Sequence, residues 1–215
     1  MQKQDIFTIL LLISLITNCT MKQNTENKPL EEISSILIER TYFEQYLSLF
    51  KDVELPIVLD ESFFEYEIMS QKDSLKTDFV ELFIEKEILL SQGESLFDFY
   101  IFYPITKFYV SSSIIGVIYA KSGIAGGTQE QCILSLYTTS GEKTDELVIW
   151  EYTSEGTYFS EITSIISPNK ISLLETGTEI DEDEDSDKDI YHEKYRKERQ
   201  YRIDTMHGKI EILKE

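Results

Sequence analysis

The sequence predicts an α+β fold dominated by β: N-terminal helical segments followed by an antiparallel β-meander, drawn into a curled sheet or half-barrel. Three observations carry this. Two capping-box patterns open amphipathic runs in the first ninety residues. From about residue 98 onward, short runs rich in Tyr, Ile, Phe, Val and Thr recur at close intervals. Turn-forming residues separate those runs.

Taken in order, Thr41-Tyr-Phe-Glu44 is the first capping box, and Phe43, Tyr46, Leu47 and Phe50 follow at helical spacing, predicting a helix over 42–51. Residues 30–40 extend it or form a separate short helix. Leu55-Pro56 ends that element and begins an extended run, Ile57–Leu59. Phe63–Ile68 is a second strand candidate. Asp78-x-x-Glu81 is another capping box, with Phe79, Leu82 and Phe83 on one face, predicting a short helix over 78–85.

The strand candidates after that are Phe97–Tyr103, Thr106–Val110, Ile114–Ala120, Gln131–Thr138, Glu146–Tyr152, Tyr158–Ile166 and Lys170–Glu175. Gly123–Gly127, Thr139-Ser-Gly141, Ser154-Glu-Gly156 and Ser167-Pro-Asn169 break them. Tyr201–Asp204 and Lys209–Leu213 flank Thr-Met-His-Gly, a closing turn. Sequential strands separated by short turns pair with one another. A propeller fragment is the alternative, though no repeat of fixed period is visible.

The N-terminus addresses the chain. Ile6–Ile16 is a mostly apolar run of eleven residues, with Thr8 and Ser14 among them. A spanning helix needs about 20, so the run suits the core of a secretory signal. Ile16-Thr17-Asn18-Cys19 follows, and it resembles the bacterial lipobox, aliphatic–small–small–Cys, with Asn18 standing where Gly, Ala or Ser is usual. The resemblance implies removal of residues 1–18 and a lipid on Cys19. Residues 19–29, nearly all polar, read as a tether. Residues 30–215 read as a single β-rich domain.

The lipobox-like ITNC, the helix-then-Pro segment Phe43–Leu59, the strand–turn–strand Leu134–Ile149 and the closing hairpin Tyr201–Ile210 together resemble a group of Bacteroidetes lipoproteins with no established activity. The resemblance implies an anchored, β-rich envelope protein, and the non-acidic Thr20 after Cys19, as in outer-membrane lipoproteins, leads to the expectation of the periplasmic face of the outer membrane. It implies no catalytic residues.

The formal net charge is −20, from 40 acidic and 20 basic residues. Nucleic-acid binding wants clustered Lys and Arg, so the balance argues against it. It permits a basic protein partner, divalent cations, or simply solubility, which is the default reading of net charge. With Cys19 lipidated, Cys132 is the other cysteine and no intramolecular disulfide forms. Cys132 sits in an apolar strand run and reads as a buried small hydrophobe.

Catalytic motifs are lacking: there is no GxxxxGK[ST] and no GxSxG, and His192-Glu193 lacks the second histidine of HExxH. His192 and His207 read as surface residues, and no cofactor is expected. The most distinctive segment is the acidic loop 179–189, with seven carboxylates between Asp181 and Asp189. Asp181, Asp183, Asp185, Asp187 and Asp189 are the calcium candidates. Ser186 and His192 stand where an EF-hand loop needs Gly and Glu, so that pattern fails. A solvated loop is preferred, able to pair with the basic stretch Lys194–Arg202.

The expected function is therefore a lipid-anchored, non-enzymatic binding or structural module. An acidic immunity or inhibitor protein that caps a basic partner is the alternative. A hydrolase using scattered carboxylates comes third, and no pair among forty acids stands out.

Overall fold

A computed structural model describes residues 40–63, 73–85, 95–124, 129–182 and 189–214. Among the described residues, ten strands form one open sheet: β1 (Lys51–Asp52), β2 (Ile57–Leu59), β3 (Tyr100–Tyr109), β4 (Ile114–Gly123), β5 (Gln129–Thr138), β6 (Lys143–Glu155), β7 (Tyr158–Ser167), β8 (Lys170–Glu182), β9 (Asp189–Asp204) and β10 (Lys209–Lys214). The order is β1-β3-β4-β5-β6-β7-β8-β9-β10, and β2 pairs with β7 off this path. Every neighbouring pair is antiparallel except β1–β3. The expected β-dominated antiparallel meander is thus observed, and the sheet does not close on itself.

Several boundaries differ from expectation. The two runs Phe97–Tyr103 and Thr106–Val110 belong largely to one strand, β3, which has a bulge between Pro104 and Thr106. Proline has no N–H for the ladder, and a bulge accommodates it. Phe97 itself lies in a 3-10 turn, Leu96–Asp98, capped by Ser95 and Asp98. Residues 179–182 of the expected acidic loop are strand, and Glu182 pairs with Asp189, so the β8–β9 hairpin is longer than the charge run suggested. Residues 183–188 lie outside the described residues. The basic stretch Lys194–Arg202 is part of β9.

The expected helix over 42–51 ends earlier, at residue 47. Residues 40–47 are helical, so Thr41 stands inside the helix rather than at its N-cap, and Lys51–Asp52 is already β1. The cause is remote. Lys107 on β3 donates through Nζ to the Leu47 carbonyl (2.9 Å) and the Phe50 carbonyl (2.8 Å), closing the helix end. Glu61–Phe63 is a helical turn instead of a strand start, held by Asp60 Oδ1, which accepts from the Phe63 N–H at 3.0 Å. Residues 64–68 lie outside the described residues. The expected 78–85 helix is an α-turn, Thr77–Phe79, running into a π-turn, Val80–Ile84. Lys76 is its N-cap and makes no side-chain cap; Asp78 stands inside the first turn, where its Oδ1 accepts from the Phe79 N–H at 3.0 Å.

Two apolar clusters hold the sheet. One contains Leu59, Phe108, Ile118, Leu134, Trp150 and Ile166 among others. The other sets Phe43, Tyr46, Phe79 and Ile84 against Val117, Tyr119 and Tyr137. β4 shows the division most clearly: Ile114, Ile118 and Ala120 enter the first cluster, and Ile115, Val117 and Tyr119 enter the second. Its residues 114–120 are all buried, so its sequence is continuously apolar rather than alternating. Gly116 is the exception, because the Phe108 ring lies where its Cβ would be, 2.5 Å from Phe108 Cζ.

Candidate functional site

β2 creates the most distinctive surface feature. It leaves the N-terminal part of the chain and pairs along β7, Ile57 with Ile166, Val58 with Ile165, and Leu59 with Ser164. Period-2 alternation then turns successive residues to opposite faces. Leu59, Ser164 and Ile166 are buried, while Val58 and Ile165 are 51% and 48% exposed. The pairing continues from Ile165 to Ser172 on β8 and from Ser172 to Gln200 on β9. Two residues along, Thr163 pairs with Leu174 and Leu174 with Glu198. A shallow groove of about 270 Å³ runs across these four strands. Its exposed apolar floor is Val58 and Ile165.

Carboxylates rim it. Asp60 follows β2 and lines the groove. The Ser62 hydroxyl and the Phe63 N–H donate to it and hold its carboxyl below the usual aspartate range, so it stays ionised. Glu198 lines the opposite end. Glu161 lies on β7 in alternation with Thr163 and Ile165, next to the groove. Burial, and then the charges of Glu61 and Asp60, push its carboxyl up, opposed by the nearby Trp150 indole. Arg199 also lines the groove, but Glu175 takes its charge. The surface therefore combines an apolar floor with an acidic border.

Register brings a second carboxylate into line with Glu161. Glu130 pairs with Tyr152, and Tyr152 with Glu161, so two acids flank one aromatic in a cross-strand row. Burial also raises the Glu130 carboxyl, against the Ser122 hydroxyl that donates to it at 2.9 Å. The two main-chain positions are two strand spacings apart, about 9.6 Å. Sequence reading did not single out this pair. Its distinguishing features are burial and register, which composition does not display.

The sequence-predicted residues scatter. Cys19 lies outside the described residues, as do Asp183, Asp185 and Asp187. Asp181 and Asp189 are main-chain members of β8 and β9, one register step apart. Among the described residues no cluster of three or more His, Cys, Asp or Glu side chains is placed to hold a metal. Cys132 is fully buried, and desolvation pushes its thiol far up, as suits a packing residue. His207 is in the β9–β10 turn, its Nδ1 2.7 Å from Asp204 Oδ2, and its side chain is largely exposed. His192 is an exposed member of β9. The basic residues after the acidic run pair across the hairpin: Lys194 with Glu179, and Lys197 and Arg199 with Glu175.

Among the described residues no helix is long and apolar enough to cross a membrane. No protein-family model, curated protein or solved structure matches this chain.

Proposed function

We propose that this chain is a lipid-anchored envelope protein, tethered through Cys19, whose β-rich domain binds a basic protein partner at the β2–β7–β8–β9 groove. The carrying observation is the exposed Val58–Ile165 floor bordered by Asp60 and Glu198, with Glu161 two residues along β7 from the lining Thr163. An apolar centre with a charged rim is the common anatomy of a protein interface. The acidic border and the net charge of −20 select a cationic partner and speed its approach. The role is binding rather than catalysis, which includes the immunity or inhibitor reading. In the cell, the lipobox-like ITNC supports anchoring: each acyl methylene buried in the bilayer contributes about 0.8 kcal/mol. The polar residues after Cys19 then serve as the tether.

A photo-crosslinking residue placed at Ile165, and in a control at exposed Ile124, tests the binding site in cells. The expected result is one adduct, from position 165 only, whose partner is basic and which disappears in an Asp60→Lys/Glu198→Lys variant. Equal adducts from both positions, or an adduct indifferent to the two reversals, would refute it.

A further inference from the structure

β9 is paired unequally on its two sides. β8 covers it from Asp189 to Arg202, whereas β10 covers only Gln200–Asp204. Among the described residues, no strand pairs with β9 on the β10 side from Asp189 to Arg199. That stretch is a sheet edge roughly 33 Å long. Such an edge presents backbone N–H and C=O groups ready to pair with another extended chain.

The same lane is where the chain concentrates positive charge. An open groove of about 620 Å³ lies beyond the end of β10, walled by Arg196, Lys197, Glu198, Arg199 and Lys214. Arg196 approaches Glu198 at 4.0 Å, Lys197 approaches Glu175 at 3.7 Å, and Arg199 also pairs with Glu175. Four cations are thus set against two carboxylates, a local positive excess in a strongly acidic chain. Lys197 and Arg196 keep more than half of their side-chain surface exposed.

The geometry points to a docking lane for an acidic extended segment of a partner protein, which adds beside residues 190–199 of β9 in line with β10. The backbone edge supplies the pairing, and the alternating side chains of the incoming strand supply the selection. Acidic side chains would meet Arg196, Lys197 and Lys214. A second copy of this chain fits less well. Pairing β9 against β9 sets these cations opposite one another, and like charges across a ladder are destabilising. The lane shares Glu198 and Arg199 with the wall of the first groove but not its Val58–Ile165 floor, and the β9 backbone edge that carries the inference stands without the reading of that groove.

A fluorescein-labelled ten-residue peptide of alternating Glu and Val, titrated into the full chain in detergent and followed by anisotropy, tests this. Binding is expected, together with slowed amide exchange across residues 190–199. Methylating the peptide nitrogens on alternate residues keeps every charge but removes strand pairing, and should abolish binding. Reversing two exposed cations, Lys197→Glu with Lys214→Glu, should weaken binding about tenfold. The inference is overturned if the methylated peptide binds as well as its parent, if the double variant binds unchanged, or if exchange across 190–199 slows only through association of the chain with itself.

Discussion

Lys107 offers a strong test of how the fold is held. Its side chain is 11% exposed, and its ammonium donates to two carbonyls at the end of the 40–47 helix while lying 3.3 Å from Asp52 Oδ2. Replacing Lys107 with Met keeps the length and removes the donor. Two hydrogen bonds from a charged donor contribute about 1.5–3 kcal/mol each. A cation at a helix C-terminus adds about 0.3–1 kcal/mol. Against this, the variant no longer buries an ammonium, an expense of several kcal/mol per ion. The balance is a net loss of about 2–3 kcal/mol. Urea unfolding followed by tryptophan fluorescence measures it. The midpoint should fall while the slope m stays constant, because the same surface is exposed on unfolding. For a domain of this size the melting temperature should drop about 5–10 °C. A loss below about 0.5 kcal/mol would show that the ammonium does not hold the helix end, and the account of its early termination would fail.

Gly116→Ala should destabilise the chain by about 1–3 kcal/mol, because the new Cβ collides with the buried Phe108 ring; an unchanged melting temperature would contradict the packing. Tyr137→Phe removes the hydroxyl that donates to the Phe83 carbonyl at 2.7 Å and should cost about 1–2 kcal/mol in urea unfolding. Glu161→Gln should change the pH dependence of stability. Burial, Glu61 and Asp60 raise the folded-state carboxyl above its unfolded value, so its favourable contribution is complete below the unfolded value and is lost as pH rises through the folded one. The variant should therefore gain stability relative to the parent at pH 8 and show no such gain at about pH 4; parallel pH profiles would count against the raised carboxyl. In a Cys19→Ser background, Cys132 should react with a thiol reagent only once the chain is unfolded.

The strands were legible because their signals are local. Tyr158–Ile166 and Lys170–Glu175 carry β-branched and aromatic residues, and the Ser167-Pro-Asn169 break between them is short. β8 and β9 were partly missed because a run of carboxylates reads as solvated loop, whereas the ladder extends until Glu182 meets Asp189. The helix end at residue 47 was illegible for another reason: the group that closes it sits on β3, far along the chain. The groove depends in the same way on a distant partner, since Val58 gains its place only by pairing with Ile165. Glu130 and Glu161 were invisible among forty acids, because register and desolvation distinguish them and neither is written in composition.

The proposed role presupposes that the domain is delivered to the envelope on a lipid. Mass spectrometry of the N-terminal peptide, from protein extracted out of bacterial membranes, tests this most directly. The account predicts a chain that begins at Cys19, carries acyl groups there and lacks residues 1–18. An unmodified Cys19 thiol with residues 1–18 still attached would contradict it.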